Sequence, residues 1–503
     1  MNVLNQQAGF ILLFVFAAVM IFITSFASRG KIWHTASGFM AAGRNVPWWL
    51  GAISIAVTWI WAPALFVSTQ QAYQQGIPGL FWFVFPNMLS LMVIAPLAVK
   101  IRDLLPAGYT QPEWIEKRFD KGTRNLFLVP FFWYQVMAVT VQLYAGGNIF
   151  SLLTGVPLFA VMTVLAATTL IYSLISGMRA SIVTDFLQYG LILIAIIVIV
   201  PWTISAAGGA QAILGGIGGV TGEHKSLFDA QVAFNFGIVT SIGLISGSLS
   251  DQQHWQRAFA IKKSGLIRAY IVAGLLFGIV PIAIALLGFI GANPAFGISL
   301  PAGVDASMIG VAVVRHFLPA WAVIAFLVMM LGGLCATLDS GMCAAGALYA
   351  MNCTRYSYEE MQVHEKDARG EPLTVAEETI KGILDQKIIQ RGRLAMVGVT
   401  LIGFLIAALV VEIPSFGLKY LWWVFNTIAA CVAAPIVLSF YWKRVTSLGV
   451  KVGVTIALVG GIPLFVYSNL NDMIGLTVAS SVGIVAVTVL SMLVFQSKEQ
   501  HPI

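Results

Sequence analysis

An all-α, polytopic membrane protein of about thirteen transmembrane helices is the fold this sequence predicts. Of its 503 residues, 59% are hydrophobic and only 10% charged, which leaves too little polar surface for a soluble chain of this size. Apolar stretches of ~20 residues recur along the chain, each long enough at ~1.5 Å per residue to cross ~30 Å of hydrocarbon. With the amino terminus outside, every basic residue except Lys225, Arg315 and Lys419 falls on the cytoplasmic side, the asymmetry expected of Lys and Arg around membrane spans. The net charge of +7 is then that of a membrane protein's inner rim, not a nucleic-acid footprint.

The first span begins near Ala8. Met1 is followed by uncharged residues and no small-residue cleavage site closes this span, so it reads as a retained helix and not a signal peptide. The second, from Val46, contains the most informative feature, Trp59-Ile60-Trp61-Ala62-Pro63. Pro63 has no N–H to donate and its ring crowds the carbonyl of Trp59, so the helix must break. Hydrocarbon tolerates free carbonyls only where protein, water or an ion satisfies them. A third span starts near Ile77. Thr110, Pro112 and Glu113 then open an amphipathic helix on the inner face, with a cap, a first-turn proline and an acid at the positive dipole end.

Further spans begin near Thr123, Val156 and Ser181, and the outer loop 208–228 is glycine-rich without phosphate-loop spacing. The seventh span, from Gln231, carries Gly243, Ser246, Gly247, Ser248 and Ser250, which read as a second interruption. Spans two and seven run in opposite directions, and matching breaks in antiparallel halves point to an inverted-repeat transporter. The remaining spans begin near Gly265, Ala320, Leu394, Gly417, Thr446 and Met473. Between the ninth and tenth, residues 352–390 mix both charges and read as a solvated helix and linker. Cys335, Cys343, Cys353 and Cys431 lack metal-ligand spacing and read as packing residues.

An intramembrane carboxylate costs roughly 2.5–3.5 kcal/mol or more unless it is paired, so Asp185, Asp251 and Asp339 each need a partner or a purpose. Thr184 and Gln188 flank Asp185 as hydrogen-bonding candidates, with a structural helix contact or cation binding as its role. Asp251 and Arg257 suit an ion pair or helix-end dipole partners near the inner face. Around Thr337, the small residues Gly332, Gly333 and Ala336 let another helix approach. Thr337 itself can bond its own helix or complete an oxygen cage with carbonyls freed by Pro63, and oxygen is what a hard cation takes.

At these residues the chain resembles the sodium/solute symporter family, whose fold is the LeuT type of two inverted five-helix repeats. The resemblance is carried by Ala42-Gly43-Arg44-Asn45-Val46-Pro47-Trp48-Trp49, residues 110–119, Gln142-Leu143-Tyr144-Ala145-Gly146-Gly147, the Thr184-Asp185-x-x-Gln188 core of 177–188, and Ala336-Thr337-Leu338-Asp339-Ser340. It implies one extra amino-terminal helix with its loop (1–45), repeats over 46–206 and 207–442, and two carboxyl-terminal helices with a tail (443–503). It also implies a Na⁺ site on the carbonyls of Ala56, Trp59 and Gly333 and on hydroxyls at 336 and 337. Ala336 lacks that hydroxyl. Asp185 matches a family carboxylate associated with a second sodium site or with sodium-linked activity.

The residues matching the family's substrate positions are Thr58, Trp61, Asn87, Gln135, Gln142, Ser246, Ser248, Trp422 and Asn426, a neutral, aromatic and amide-rich set. The sugar carriers' glutamate and aromatic are replaced by Pro86 or Asn87 and by Gly247, and the proline carriers' aspartate by Thr58. Asp251-Gln252-Gln253-His254-Trp255-Gln256-Arg257 and Thr58-Trp59-Ile60-Trp61-Ala62 resemble the urea-carrier branch. The resemblance thus implies sodium-coupled symport of a small, polar, uncharged or zwitterionic solute, urea or an amide first, by a multi-pass protein of the plasma membrane, such as a bacterial inner membrane, with a cytoplasmic carboxyl terminus. Its partners are that solute and the lipid bilayer, with no nucleic acid, and a monomer suffices. The alternatives are a proton-coupled or uncoupled carrier, motivated by Ala336, and a transporter-like sensor, which the absence of an appended signalling domain before Ile503 disfavours. An enzyme is not expected, because no nucleophile–base pair or His/Glu/Cys cluster shares one depth.

Overall fold

Helices account for the architecture from end to end. The computed structural model describes residues 3–27, 35–301, 303–413 and 418–499. Arg29, Lys31 and the start of the eleventh span at Gly417 lie outside them. In chain order the principal helices are α1 (Gln6–Ala27), α2 (Trp48–Thr58), α3 (Ala62–Leu104), α4 (Gln111–Arg118), α5 (Lys121–Thr154), α6 (Leu158–Ser176), α7 (Met178–Ala206), α8 (Ile238–Ser250), α9 (Gln252–Ala260) and α10 (Leu266–Ala292). After them come α11 (Ala320–Asn352), α12 (Tyr358–Ala368), α13 (Val375–Val411), α14 (Leu418–Tyr441), α15 (Ser447–Ile456), α16 (Ile462–Leu470) and α17 (Ile474–Val494). The π-helical turn Ala457–Gly461 joins α15 to α16. Among the described residues, twelve helical segments are long and apolar enough to cross a membrane.

The difference between thirteen expected spans and twelve lies in α3. This helix joins the second half of the broken second span to the whole of the third, turning at Gly76 (φ 61°, ψ −150°). Only glycine adopts that conformation without strain. A Cβ there would also stand 2.4 Å from the carbonyl of His224 and 2.6 Å from that of Ile217, so the turn is locked under the glycine-rich outer loop.

The seventh span departs from expectation. Residues 243–250 do not interrupt it: α8 is continuous to Ser250, after a π-helical turn at Ala233–Gly237, and the chain breaks only at Asp251. Its glycines serve approach instead. A Cβ on Gly247 would lie 2.4 Å from Asn426 Oδ1 and 2.6 Å from the Tyr134 hydroxyl, so small residues here let α8 close onto α14 and α5.

The expected inner-face helix is α4. Glu113 accepts from the backbone N–H groups of Tyr109 (3.0 Å) and Thr110 (2.7 Å), completing a capping box with Thr110. In the long loop, α12 and the start of α13 are tied by Lys366–Glu377, Lys381–Asp367 and Lys387–Glu360 ion pairs, so a paired helical hairpin takes the place of helix and linker.

Gly76→Ala is expected to lower the stability of the detergent-purified protein by about 2 kcal/mol or more, since it combines steric overlap with a forbidden backbone angle. Gly43→Ala, also at positive φ (74°) but with open space around it, should cost less. Thermal melting of the two variants side by side checks the order.

Candidate functional site

The site is built where α2 stops and α3 starts. Trp59 N–H turns back to the carbonyls of Ile55 (3.3 Å) and Ala56 (3.2 Å), Ile60 N–H to Val57 (3.0 Å), and Trp61 N–H to Trp59 (2.9 Å). Ala62 N–H leaves the backbone altogether and donates to Gln142 Oε1 at 2.9 Å; Pro63 has no N–H to give. The carbonyls of Thr58 and Ile60 are therefore released from the helical ladder. Both are met by one hydroxyl, Thr337 Oγ1 of α11, at 3.2 and 3.3 Å.

Of the expected oxygen ligands, the carbonyls of Ala56 and Trp59 are engaged by backbone amides, and the pair gathered at Thr337 is Thr58 and Ile60 instead. Gly333 faces the break, since a Cβ on it would lie 3.2 Å from Leu65 and 3.9 Å from Ile60. Ala336 is fully buried and offers only backbone. Two freed carbonyls and a hydroxyl form a set of hard oxygen donors that fits a sodium ion chemically. Thr58, Ile60 and Thr337, with Gly333 beside them, are the residues that would hold it.

Thr58 also links this seat to a buried ionic network. Its hydroxyl lies 3.2 Å from Ser340 Oγ. Arg257, from α9, donates to Asp185 Oδ2 of α7 (2.8 Å), to Ser54 Oγ of α2 (2.8 Å) and to Ser340 Oγ of α11 (2.7 Å). Ser54 in turn donates to Asp185 at 2.5 Å. Asp339 accepts from Ser181 (2.9 Å), Ser340 (3.1 Å) and Thr184 (3.1 Å), and all of these side chains are buried.

Asp185 was expected to find Thr184 and Gln188. Thr184 bonds Asp339 and its own helix instead, and neither side-chain polar atom of Gln188 has a partner. Arg257 pairs with Asp185 and not with Asp251, which caps α9 by accepting from Gln253 N–H. One guanidinium against two carboxylates leaves the network with an excess of negative charge when all three are ionised, and that field favours a cation nearby.

Beside the break lies a small pocket lined by Trp59, Trp61, Pro63, Ala64, Phe83, Asn87, Tyr134, Leu244, Trp422, Phe425 and Asn426. Its cavity volume is ≈ 20 Å³, about the room of one water molecule, so the rings close on one another in this conformation. Trp61 stacks on Phe425 with centroids 4.9 Å apart, Trp59 Nε1 donates to Asn87 Oδ1 (2.8 Å), and Tyr134 donates to Asn426 Oδ1 (3.0 Å). The lining carries no charged side chain.

Among the residues expected at the substrate positions, Trp61, Asn87, Trp422 and Asn426 line this pocket. Thr58 belongs to the ionic network, Gln142 caps the start of α3, and Gln135 donates to Asp251 (3.1 Å). Ser248 is bonded to the carbonyls of Ser90 and Ile245 (3.0 Å each), and Ser246 is buried outside the lining. Sequence reasoning missed Tyr134 and Phe425, and it gave Arg257 to Asp251 where the structure gives it to Asp185. An unpaired acid on an apolar span was the available signal for Arg257, because it demands a basic partner somewhere.

The model of the Sodium:solute symporter family matches residues 39–368. A probable urea active transporter 1 of Schizosaccharomyces pombe is 26% identical over 288 residues, covering 53% of this chain and 42% of that protein. A urea-proton symporter, DUR3, of Oryza sativa subsp. japonica is 24% identical over 320 residues, covering 56% of this chain and 44% of that protein. The chain thus matches less than half the length of these two relatives. A solved substrate-bound, outward-open Na⁺-coupled sialic acid symporter superposes with a TM-score of 0.72 at 16% identity, covering 98% of this chain and 99% of that one. At that identity the likeness shows the fold, which is the LeuT type.

Removing Arg257 strands the buried Asp185 carboxylate, a change worth about 3–5 kcal/mol. Arg257→Met is expected to melt well below the wild type, and adding Asp185→Asn should recover at least half of the loss. A double variant no more stable than the single one would mean that the pair is not what Arg257 stabilises.

Proposed function

This chain belongs to the sodium:solute symporter family, and we propose that it is a secondary active transporter that couples sodium entry to uptake of a small, uncharged or zwitterionic polar solute, urea or a similar amide first. The observation that carries the reading is the pair of carbonyls released at the α2–α3 break and gathered by Thr337, beside an aromatic pocket that shares Trp59 with the break. Sodium seated on these oxygens, with the carbonyl of Gly333 as a further family-matched ligand and no hydroxyl at Ala336, fixes the break. The same fixed break holds Trp59 and Trp61 in place as pocket walls. Each ligand then favours the arrangement the other needs, which is the thermodynamic content of coupling. Asp185 and its network supply the negative field along the cation's path.

The pocket supports the choice of solute. Asn87, Asn426 and Tyr134 offer amide and hydroxyl groups, and no cationic side chain is present to hold a carboxylate, whose unpaired burial is costly. Two relatives that carry urea in their names are consistent with an amide. One sodium entering at 100 mV supplies roughly 2.3 kcal/mol and a tenfold gradient about 1.4 more, enough for ~500-fold accumulation of a neutral solute. A proton-coupled carrier is the second reading, favoured by the missing hydroxyl at Ala336 and by the rice relative's printed name as a urea-proton symporter.

Thr337→Ala is expected to raise the sodium concentration for half-maximal uptake at least tenfold, while Thr337→Ser is tolerated. Equal uptake with and without sodium under a clamped proton gradient decides for the second reading. In proteoliposomes offered labelled urea, proline, a sugar and a monocarboxylate under a sodium gradient, urea should enter fastest. Preferred entry of the monocarboxylate would overturn the charge argument for the pocket.

A further inference from the structure

A second group of buried polar side chains meets between α5, α9 and α11. Gln135 Nε2 donates to Asp251 Oδ1 at 3.1 Å, and Asp251 Oδ2 lies 4.0 Å from His254 Nε2. The His254 ring sits 4.9 Å from that of Trp59, so the group abuts the pocket through a shared wall. On α11, Gly341 opens the third side: a Cβ there would stand 2.9 Å from Ala138 and 3.8 Å from Gln253 Nε2.

These side chains are at most 1% exposed, yet Gln135 Oε1, Asp251 Oδ2, both amide atoms of Gln253 and both ring nitrogens of His254 have no hydrogen-bond partner. Buried polar atoms are nearly always satisfied, and each exception in a native protein calls for a reason. So many exceptions in one place are a poor packing solution, since aliphatic side chains would fill the same space without the penalty. They are a good way to hold a guest rich in donors and acceptors.

We propose that Gln135, Asp251, Gln253 and His254 form an inner solute site that receives the solute after it leaves the aromatic pocket. Carbonyl and carboxylate oxygens on Gln135, Asp251 and Gln253 accept from an NH₂ group, while Gln253 Nε2 and the ring N–H of His254 donate to a C=O group. That pattern suits an uncharged amide of the urea class, and the Asp251 carboxylate repels anions. The inference rests on the proposed function, because it takes the same solute one step further along its path.

The test compares wild type with Gln253→Leu, in purified form and in proteoliposomes carrying labelled urea under a sodium gradient. If the amide of Gln253 is unpartnered in the resting protein, the leucine variant melts no lower than the wild type. Its half-saturating external urea stays within twofold, because the outer pocket is untouched, while its maximal rate of uptake falls at least tenfold. Asp251→Asn, which keeps the cap of α9, should show the same split between rate and half-saturation. An unchanged maximal rate in a transporting protein, a lowered melting temperature of Gln253→Leu, or a tenfold rise in half-saturating urea would each overturn the inner site and leave the transporter reading standing. Wild-type vesicles that take up neither urea nor acetamide would take down both.

Discussion

A helix that stops inside an apolar bundle releases backbone carbonyls that hydrocarbon cannot satisfy, and the arrangement around α2 and α3 follows from that constraint. Pro63 withholds one donor, Ala62 gives its own to Gln142, and the tight turn through Trp59 and Trp61 consumes the nearest remaining amides. What is left over is the pair Thr58 O and Ile60 O, covered by a single hydroxyl. One proton cannot serve both acceptors well, so the protein alone under-satisfies the break. A monovalent cation among these oxygens would relieve the deficit, and that relief is the physical basis of the proposed response to sodium.

The ionic network gives this seat its electrostatic surroundings. Arg257 holds α2, α7 and α11 to α9 through Ser54, Asp185 and Ser340, while Asp339 relies on hydroxyl donors alone. A buried ion pair of this kind is weak evidence for stability but strong evidence for a fixed geometry, since losing either partner is so costly. Thr58 belongs to both assemblies, with its carbonyl turned to Thr337 and its hydroxyl to Ser340.

Much of this was legible in the sequence, for identifiable reasons. The break could be read because proline acts locally on its own helix, and the cap at Thr110 because a helix start is signalled within its own first turn. Which carbonyls the break frees could not be read, because that depends on how tightly the chain turns at Trp59; the expected pair was Ala56 and Trp59. Hydrogen-bonding candidates for Asp185 were named within its own helix, while the helix contact also expected of it is made 72 residues later by Arg257, a distance no periodicity reports. Gly243 and Gly247 show a third kind of ambiguity. Glycine weakens a helix and also lets a neighbour approach, and only packing against Asn426 and Tyr134 distinguishes the two uses.

The central claim, that sodium completes the oxygen set at the break, is tested most directly by the thermal stability of the purified wild-type protein in the absence of any solute, with sodium exchanged for choline at constant ionic strength. A ligand that binds only the folded state stabilises it in proportion to the logarithm of its concentration, by about 2.7 kcal/mol at a hundredfold excess over the dissociation constant. A melting temperature that climbs with sodium and not with choline is the predicted result. Identical melting curves in the two salts would contradict it.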